Sequence, residues 1–201
     1  MKLYDAMSAN TKRVRIFIAE KEIELPKVTL ELGKDTRTSD FRKINPLGEV
    51  PALELDDGTV ITESLAVCRY LEAAFPDRPL MGVSATDQGR IATWSERIHS
   101  QLFMTYGLMA RHSLPLFADV LEQVPAFADA MRRAIPEKWR LLESAMAEDT
   151  DFIVGDQFSF ADVEGMTVLT MADAFDLGIP KTCRRMLRWA DAMHDRPSLQ
   201  A

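Results

Sequence analysis

The chain has 201 residues, of which 47% are hydrophobic, enough to bury a sizeable core in one large domain or two small ones. The net charge is -7 and the pI is near 5.1. Because phosphate binding depends on clustered Lys and Arg, this acidic balance argues against nucleic acid or an anionic membrane as a partner and favours a small molecule or a protein.

Short strand and helix patterns alternate at the start of the chain. A strand is predicted at 2–5, and a helix is predicted at 12–21, where apolar residues recur at helical spacing. A second strand is predicted at 27–31. The right-handed crossover that the helix provides predicts that these two strands are parallel.

Two further strands follow at 52–55 and 59–61, after a short helix or irregular piece at 38–44. The sequence Asp56-Asp57-Gly58 between them is a strong hairpin signal, so the two strands are predicted to be antiparallel. A helix at 63–74 completes a small α/β layer.

The second half of the chain reads as helical. The segment 75–80 contains two prolines, cannot continue the preceding helix and is interpreted as a linker. We therefore expect an α/β domain at 1–77 and an all-helical domain at 84–201. Its predicted helices are 86–114, 123–147, 160–175 and 182–194.

Two sequence details qualify these helices. Pro136 lies within the second of them and is expected either to kink it or to split it in two. Ser159 and Asp162 form a variant of the capping box, in which each side chain satisfies a backbone N–H at the other residue, and they predict the start of the third helix.

Cysteine and histidine usage indicates neither a disulfide framework nor a metal site. Cys68 and Cys183 are far apart within helical patterns and are interpreted as small core residues. The three histidines are scattered. The chain opens without an apolar secretory segment, and no window approaches the ~18 apolar residues of a membrane helix, so we expect a cytoplasmic protein.

The segments Asn45–Leu53 and Glu63-Ser64 point most directly to a function. Pro51 at a strand start leaves Val50 with a free backbone edge, which can pair with an extended peptide if the Val50-Pro51 bond is cis. Ser64 at a helix start suits a ligand carboxylate, and Glu63 suits a ligand ammonium. The alternatives are a rigid turn and an ordinary helix start.

In the order and spacing of its segments, the chain resembles the cytosolic glutathione transferase family. The segments that carry the resemblance are 8–16, 45–53, 63–67 and 155–163. The resemblance spans essentially the whole chain, and the first half is most similar to bacterial members near the theta and zeta classes. It implies a thioredoxin-like N-terminal domain that binds glutathione and an all-α C-terminal domain that carries the second substrate.

The resemblance also implies roles for individual residues. Val50 would bind the cysteinyl backbone of glutathione through its main chain, with Pro51 cis. Glu63 and Ser64 would hold the γ-glutamyl end, and Ser8 falls where these classes place a catalytic serine.

Ser8 would act as a hydrogen-bond donor to the glutathione sulfur. Lowering a thiol pKa of about 8.5 by about two units requires roughly 2.7 kcal/mol. One hydrogen bond to a charged acceptor contributes about 1.5 to 3 kcal/mol, and a helix N-terminus adds about 0.3 to 1 kcal/mol. Asn10 and Thr11 are alternative donors, and a plain N-cap is the structural alternative for Ser8.

The glycine end of glutathione is where this chain departs from the family pattern. Many relatives have a basic residue or Gln at the position of Glu49 and a histidine near Thr36. Lys34, Arg37 and Lys43 are the available cations, and Arg37 is preferred among them. The alternative for each of the three is a solvated surface charge.

The second-substrate site is expected between the loop after the first strand and the helix at 86–114. Its candidate wall residues, each of which could instead belong to the core, are Met7, Met104, Tyr106, Met109 and Arg111. A methionine-rich wall would accept varied electrophiles.

The predicted function is a glutathione transferase that activates the thiolate of its co-substrate for attack on a small hydrophobic electrophile, without a metal. The family implies a homodimer and a role in detoxification. Two alternatives stay open: a glutathione-dependent peroxidase or disulfide reductase, and a non-catalytic interaction module of the same fold.

Overall fold

Residues 1–148 and 150–201 are described by a computed structural model, in which they form two units. Unit 1 comprises Met1–Leu80 together with Gln200–Ala201, and unit 2 comprises Met81–Leu199.

Unit 1 contains four strands and three α-helices among its described residues, in the alternating order that the sequence predicts. The elements are β1 Lys2–Asp5, α1 Ala9–Glu20, β2 Lys27–Thr29, α2 Ser39–Ile44, β3 Ala52–Glu54, β4 Val60–Thr62 and α3 Ser64–Ala74. A 3-10 turn at Asp35–Arg37 precedes α2.

The four strands form one sheet in the order β2-β1-β3-β4. The pairing of β1 with β2 is parallel and that of β3 with β4 is antiparallel, so both predictions are confirmed. The antiparallel pairing of β1 with β3 joins the two halves of the sheet, and local sequence patterns do not predict it.

Side chains that alternate along the strands cover both faces of this sheet. Leu3 and Leu53 are fully buried on one face, whereas Tyr4 and Ala52 belong to a cluster on the other face, where Tyr4 meets the Phe41 ring edge-on. The fully buried apolar residues of α1 and α3 are Val14, Ile16, Phe17, Val67, Cys68 and Leu71. Cys68 is thus a core residue, as predicted.

Unit 2 is helical. Its elements are α4 Ala85–Ile98, a π-helical turn at His99–Phe103, α5 Met104–Ser113, a 3-10 turn at Pro115–Phe117, α6 Pro125–Ala145, α7 Phe160–Phe175 and α8 Arg184–His194. The predicted helix at 86–114 therefore contains a π-helical turn, and α6 continues through Pro136 as one helix. No helix in the described part of the chain is both long enough and apolar enough to cross a bilayer.

The predicted capping box at the start of α7 is confirmed. Asp162 is fully buried, and its carboxylate accepts hydrogen bonds from the Ser159 N–H at 2.9 Å, the Ile153 N–H at 2.9 Å and the Trp189 Nε1–H at 2.9 Å. Burial raises the pKa of the Asp162 carboxyl, and these hydrogen bonds act in the opposite direction. Gly165 is required beside this network, because a Cβ there would lie 2.5 Å from the Trp189 ring.

We expect Asp162→Ala to lower the free energy of unfolding by about 3 kcal/mol, because it leaves several buried donors without an acceptor. Urea unfolding followed by tryptophan fluorescence measures this loss. The matched control is Asp191→Ala on the exposed side of α8, where we expect a change within about 0.5 kcal/mol. Equal stability of the two variants would contradict the role assigned to the cap.

Candidate functional site

The loop between β1 and α1 ends at Ser8, which is the N-cap of α1. The Ser8 Oγ accepts a hydrogen bond from the Thr11 N–H at 3.2 Å and lies 3.1 Å from the Thr11 Oγ1. The cap uses Ser8 as an acceptor only. Its hydroxyl proton can therefore go either to Thr11 or to a group outside the loop.

The two alternative donors to the glutathione thiol, Thr11 and Asn10, have different environments. Thr11 is fully buried, and its hydroxyl donates to the Ala6 carbonyl oxygen and accepts from Arg15. Because that hydroxyl is occupied inside the loop, it is a poor candidate for a bound thiol. Asn10 is exposed, and its Oδ1 lies 3.4 Å from both the Arg13 guanidinium and the Ser64 Oγ.

Ser64 is the first residue of α3 and is 5% exposed. The Arg13 guanidinium, itself 3% exposed, donates a hydrogen bond to the Ser64 Oγ at 2.5 Å. Arg13 is not among the residues that the sequence pattern predicts for the site. The available signal is a charged residue in the fully buried stretch 13–18 of α1, since a buried charge requires partners.

Glu63 adopts an unusual backbone conformation immediately before α3. Its φ is +66° and its ψ is 120°, in a region that residues with a Cβ rarely adopt, at a typical cost of about 1 to 3 kcal/mol. Its carbonyl oxygen accepts from the Val67 N–H at 2.9 Å, and its exposed side chain makes no hydrogen bond to the helix start. An exposed carboxylate-bearing residue thus directly precedes Ser64 at the start of α3.

The segment before β3 is held by its own turn. The Asn45 side-chain amide donates to the Glu49 carbonyl oxygen at 2.7 Å, and its Oδ1 accepts from the Leu47 N–H at 3.2 Å. Gly48 has a φ of +65°, and a Cβ there would lie 2.7 Å from the Thr36 carbonyl oxygen. Only glycine fits this approach without a rearrangement.

The Val50-Pro51 peptide bond is cis, as the resemblance implies. The Val50 side chain is buried in the cluster around Tyr4 and Phe41, which fixes its position. Among the described residues, neither the N–H nor the carbonyl of Val50 has a hydrogen-bond partner. The free backbone edge that the sequence predicts is therefore present.

The three candidate cations for the glycine end differ in their partners. Lys34 pairs with Glu31 at 2.9 Å, and Lys43 pairs with Asp40 at 2.7 Å. Arg37 is exposed at the end of its 3-10 turn and has no carboxylate partner within the described ranges 1–148 and 150–201.

The candidate wall residues of unit 2 fall into two groups. Met104 and Arg111 are exposed, and the Arg111 guanidinium lies 5.7 Å from the centre of the Phe117 ring. Tyr106 is fully buried, donates to the Leu177 carbonyl oxygen and accepts from the Trp139 Nε1–H at 3.1 Å. Burial raises the pKa of Tyr106 to about 12.

These contacts favour a core role for Tyr106 over a place in the substrate wall. Met109, also fully buried, belongs to the same core.

In unit 1, Met7 is the candidate wall residue and is 85% exposed. It borders an open depression of about 520 Å³ whose other lining residues follow or end β2: Thr29, Leu30, Glu31, Leu32 and Asp35. The depression contains none of the predicted glutathione-binding residues.

Known domain families match both units. The sequence-family model of the glutathione S-transferase N-terminal domain matches residues 7–74, and the family model of the C-terminal domain matches residues 98–197.

Individual relatives agree with these matches. A solved glutathione S-transferase domain-containing protein from Marinobacter aquaeolei VT8 is 33% identical, with a TM-score of 0.90 over 99% of this chain and 100% of that one. The glutathione S-transferase GstA of Escherichia coli O157:H7 is 28% identical over 100% of this chain and 96% of its own length. Maleylacetoacetate isomerase of Dictyostelium discoideum is 30% identical over 75% of this chain and 69% of its own length.

The backbone of Glu63 yields a prediction about stability. We expect Glu63→Gly to have a free energy of unfolding about 1 kcal/mol higher than Glu63→Ala, because glycine adopts a positive φ without a steric penalty. Both variants lack the carboxylate, so the comparison isolates the backbone. Urea unfolding of the two proteins measures the difference, and a glycine variant no more stable than the alanine variant would rule out strain at this position.

Proposed function

Because this chain belongs to the glutathione S-transferase family, as the matches to both of its domains establish, we propose that it binds glutathione and activates its thiol for attack on a small hydrophobic electrophile. Relatives named as glutathione S-transferases and maleylacetoacetate isomerases are enzymes, and the chain is one as well. The observation that carries the proposal is the combination of an unpaired Val50 main chain with Ser64 at a helix start, within one unit.

Each part of glutathione would meet a group of matching chemistry. The cysteinyl backbone would pair with the N–H and carbonyl of Val50, as an added strand does. The α-carboxylate of the γ-glutamyl end would accept from Ser64 and the first N–H groups of α3, and Glu63 would face the ammonium. Arg37 would face the glycine carboxylate.

Ser8 would supply the chemistry. When the glutathione thiol loses its proton to solvent, the Ser8 hydroxyl donates to the thiolate and lowers the thiol pKa. The thiolate then forms a carbon–sulfur bond with the electrophile. An aryl halide loses its halide with the electron pair of the broken bond, whereas an activated alkene loses its π bond and takes up a proton from solvent at the neighbouring carbon. The cap and this role are compatible, because the cap uses the Ser8 oxygen as an acceptor and the thiolate uses its proton. Asn10, whose Oδ1 faces Ser64, would contact the γ-glutamyl end.

A product test separates this reaction from its alternatives. The protein is incubated with glutathione and a panel containing an aryl halide, an activated alkene, an organic hydroperoxide and a disulfide. We expect thioethers from the first two. Oxidised glutathione from the last two would instead indicate peroxidase or disulfide reductase activity, and binding without any product would indicate an interaction module.

We further propose that the protein is a cytoplasmic homodimer with a role in detoxification, as the family implies. Light scattering on the purified protein should then give a mass of about twice the 22.7 kDa of the chain.

The role of Ser8 is tested by titrating the thiolate. We expect Ser8→Ala to raise the pH at which bound glutathione ionises by about one to two units, because the variant removes one hydrogen bond to a charged acceptor. The ultraviolet absorbance of the thiolate, followed against pH at saturating glutathione, measures the shift. Ser8→Thr retains a hydroxyl and serves as the control. An unchanged titration in Ser8→Ala would exclude serine as the donor.

The role of Arg37 is tested with two ligands. We expect Arg37→Gln to weaken glutathione binding about threefold to fivefold, as is usual for an exposed ion pair, and to leave binding of γ-glutamylcysteine unchanged because that ligand lacks the glycine carboxylate. Isothermal titration calorimetry measures both affinities. Lys43→Gln, which removes a cation already paired with Asp40, is the control. Equal losses for both ligands would contradict the assignment.

A further inference from the structure

Arg13 is an unexpected residue for the interior of unit 1. It lies in α1 within a stretch of six consecutive buried residues, 13–18, and its own exposure is 3%. Its guanidinium reaches the first residue of α3, where it donates to the Ser64 Oγ at 2.5 Å, and it also lies 3.4 Å from the Asn10 Oδ1. A buried guanidinium is unfavourable unless its surroundings accept hydrogen bonds from its donors, and the Ser64 Oγ is one such acceptor.

The contact with Arg13 fixes the direction of the Ser64 hydroxyl. A guanidinium has donors and no acceptor, so the Ser64 oxygen must accept from it. The Ser64 proton is therefore directed away from Arg13. Its partner is the Asn10 Oδ1 at 3.4 Å, which is a long and weak hydrogen bond.

A carboxylate at this position would compete well for that proton. Hydrogen bonds to an ionised acceptor are shorter and about twice as strong as those between neutral groups. The exposed side chain of Asn10 could yield its place without disturbing the core. In contrast, the Ser64 oxygen stays bound to Arg13, so the hydroxyl does not have to be reoriented when the ligand arrives.

We propose that Arg13 is a positioning residue for glutathione: it holds the Ser64 hydroxyl as a donor aimed at the α-carboxylate of the γ-glutamyl group. This inference rests on the proposed function, since it takes glutathione as the ligand. It adds a residue that acts through Ser64 and makes no contact of its own with the reacting sulfur.

The test compares two ligands that differ only in the group concerned. One is glutathione, and the other is 4-aminobutanoyl-cysteinylglycine, which lacks the α-carboxylate. Calorimetry gives both dissociation constants, and their ratio measures how strongly the protein prefers the carboxylate. General damage to the fold would weaken both ligands and leave this ratio unchanged.

For Arg13→Gln we expect the ratio to fall about tenfold, the effect of losing one well-directed hydrogen bond to a charged group. Ser64→Ala should lower it by a similar factor, and the double variant should lower it no further, because both residues serve one hydrogen bond. Arg13→Lys retains a donor and should keep most of the preference. Arg13→Met, which removes the donors together with the buried charge, replaces Arg13→Gln if that variant does not fold.

Arg15→Gln is the matched control. It removes another buried arginine from the same helix, one that pairs with Asp5 at 2.7 Å instead of contacting Ser64, and it should leave the ratio unchanged. If Arg13 variants retain the wild-type ratio while Ser64→Ala lowers it, the positioning role is overturned and the proposed function stands. If the wild-type protein binds neither ligand, the proposed function itself fails, and the positioning role fails with it.

Discussion

The burial of three cations, two inside α1 and one at its C-cap, is the constraint on which unit 1 depends. Arg13 and Arg15 lie inside α1 and Lys21 is its C-cap, and each is less than 10% exposed. Removing a charge from water is expensive unless a partner compensates it, so each cation dictates what must lie beside it. Arg15 pairs with Asp5 of β1, and Lys21 pairs with Glu72 of α3, each at 2.7 Å.

These pairs set the geometry of the site as well as the fold. Arg15 also donates to the Ala6 carbonyl oxygen and to the Thr11 hydroxyl, and these two groups belong to the loop and first turn that surround Ser8. The Ser8 hydroxyl is thus presented by a network anchored in the core. The same helix holds Ser64 through Arg13, so α1 positions both the group proposed for the sulfur and the group proposed for the γ-glutamyl end.

The sequence predicts the order of elements well because local chemistry determines them. The Asp56-Asp57-Gly58 turn specifies a hairpin, and the Ser159 cap specifies a helix start, without reference to distant residues. The pairing of β1 with β3 and the π-helical turn after α4 depend on packing between elements, which periodicity does not encode.

The candidate site is predictable where function depends on the backbone. The first turn of α3 follows from a short motif, whereas the cis Val50-Pro51 bond is what the family resemblance implies and the motif alone leaves open. The environment of a side chain is harder to predict from the sequence. Tyr106 lies on a helix whose apolar residues could face either a core or a ligand. Its burial and the hydrogen bonds of its hydroxyl, which the structure shows, favour the core. Arg13 is missed for the opposite reason, because a charged residue in a helix is ordinarily interpreted as exposed.

The groups proposed for glutathione and the candidates for the electrophile differ in how deeply they are buried. Glutathione would be held by main-chain groups and by buried side chains such as Ser64, whose replacement disturbs the core. The candidates that the sequence offers for the electrophile are exposed: Met7 in unit 1, and Met104 and Arg111 in unit 2. Replacing an exposed side chain of this kind has little effect on stability. Since methionine side chains adapt to varied apolar shapes, the preferred electrophile could change by substitution at these positions while glutathione binding and the fold stay intact.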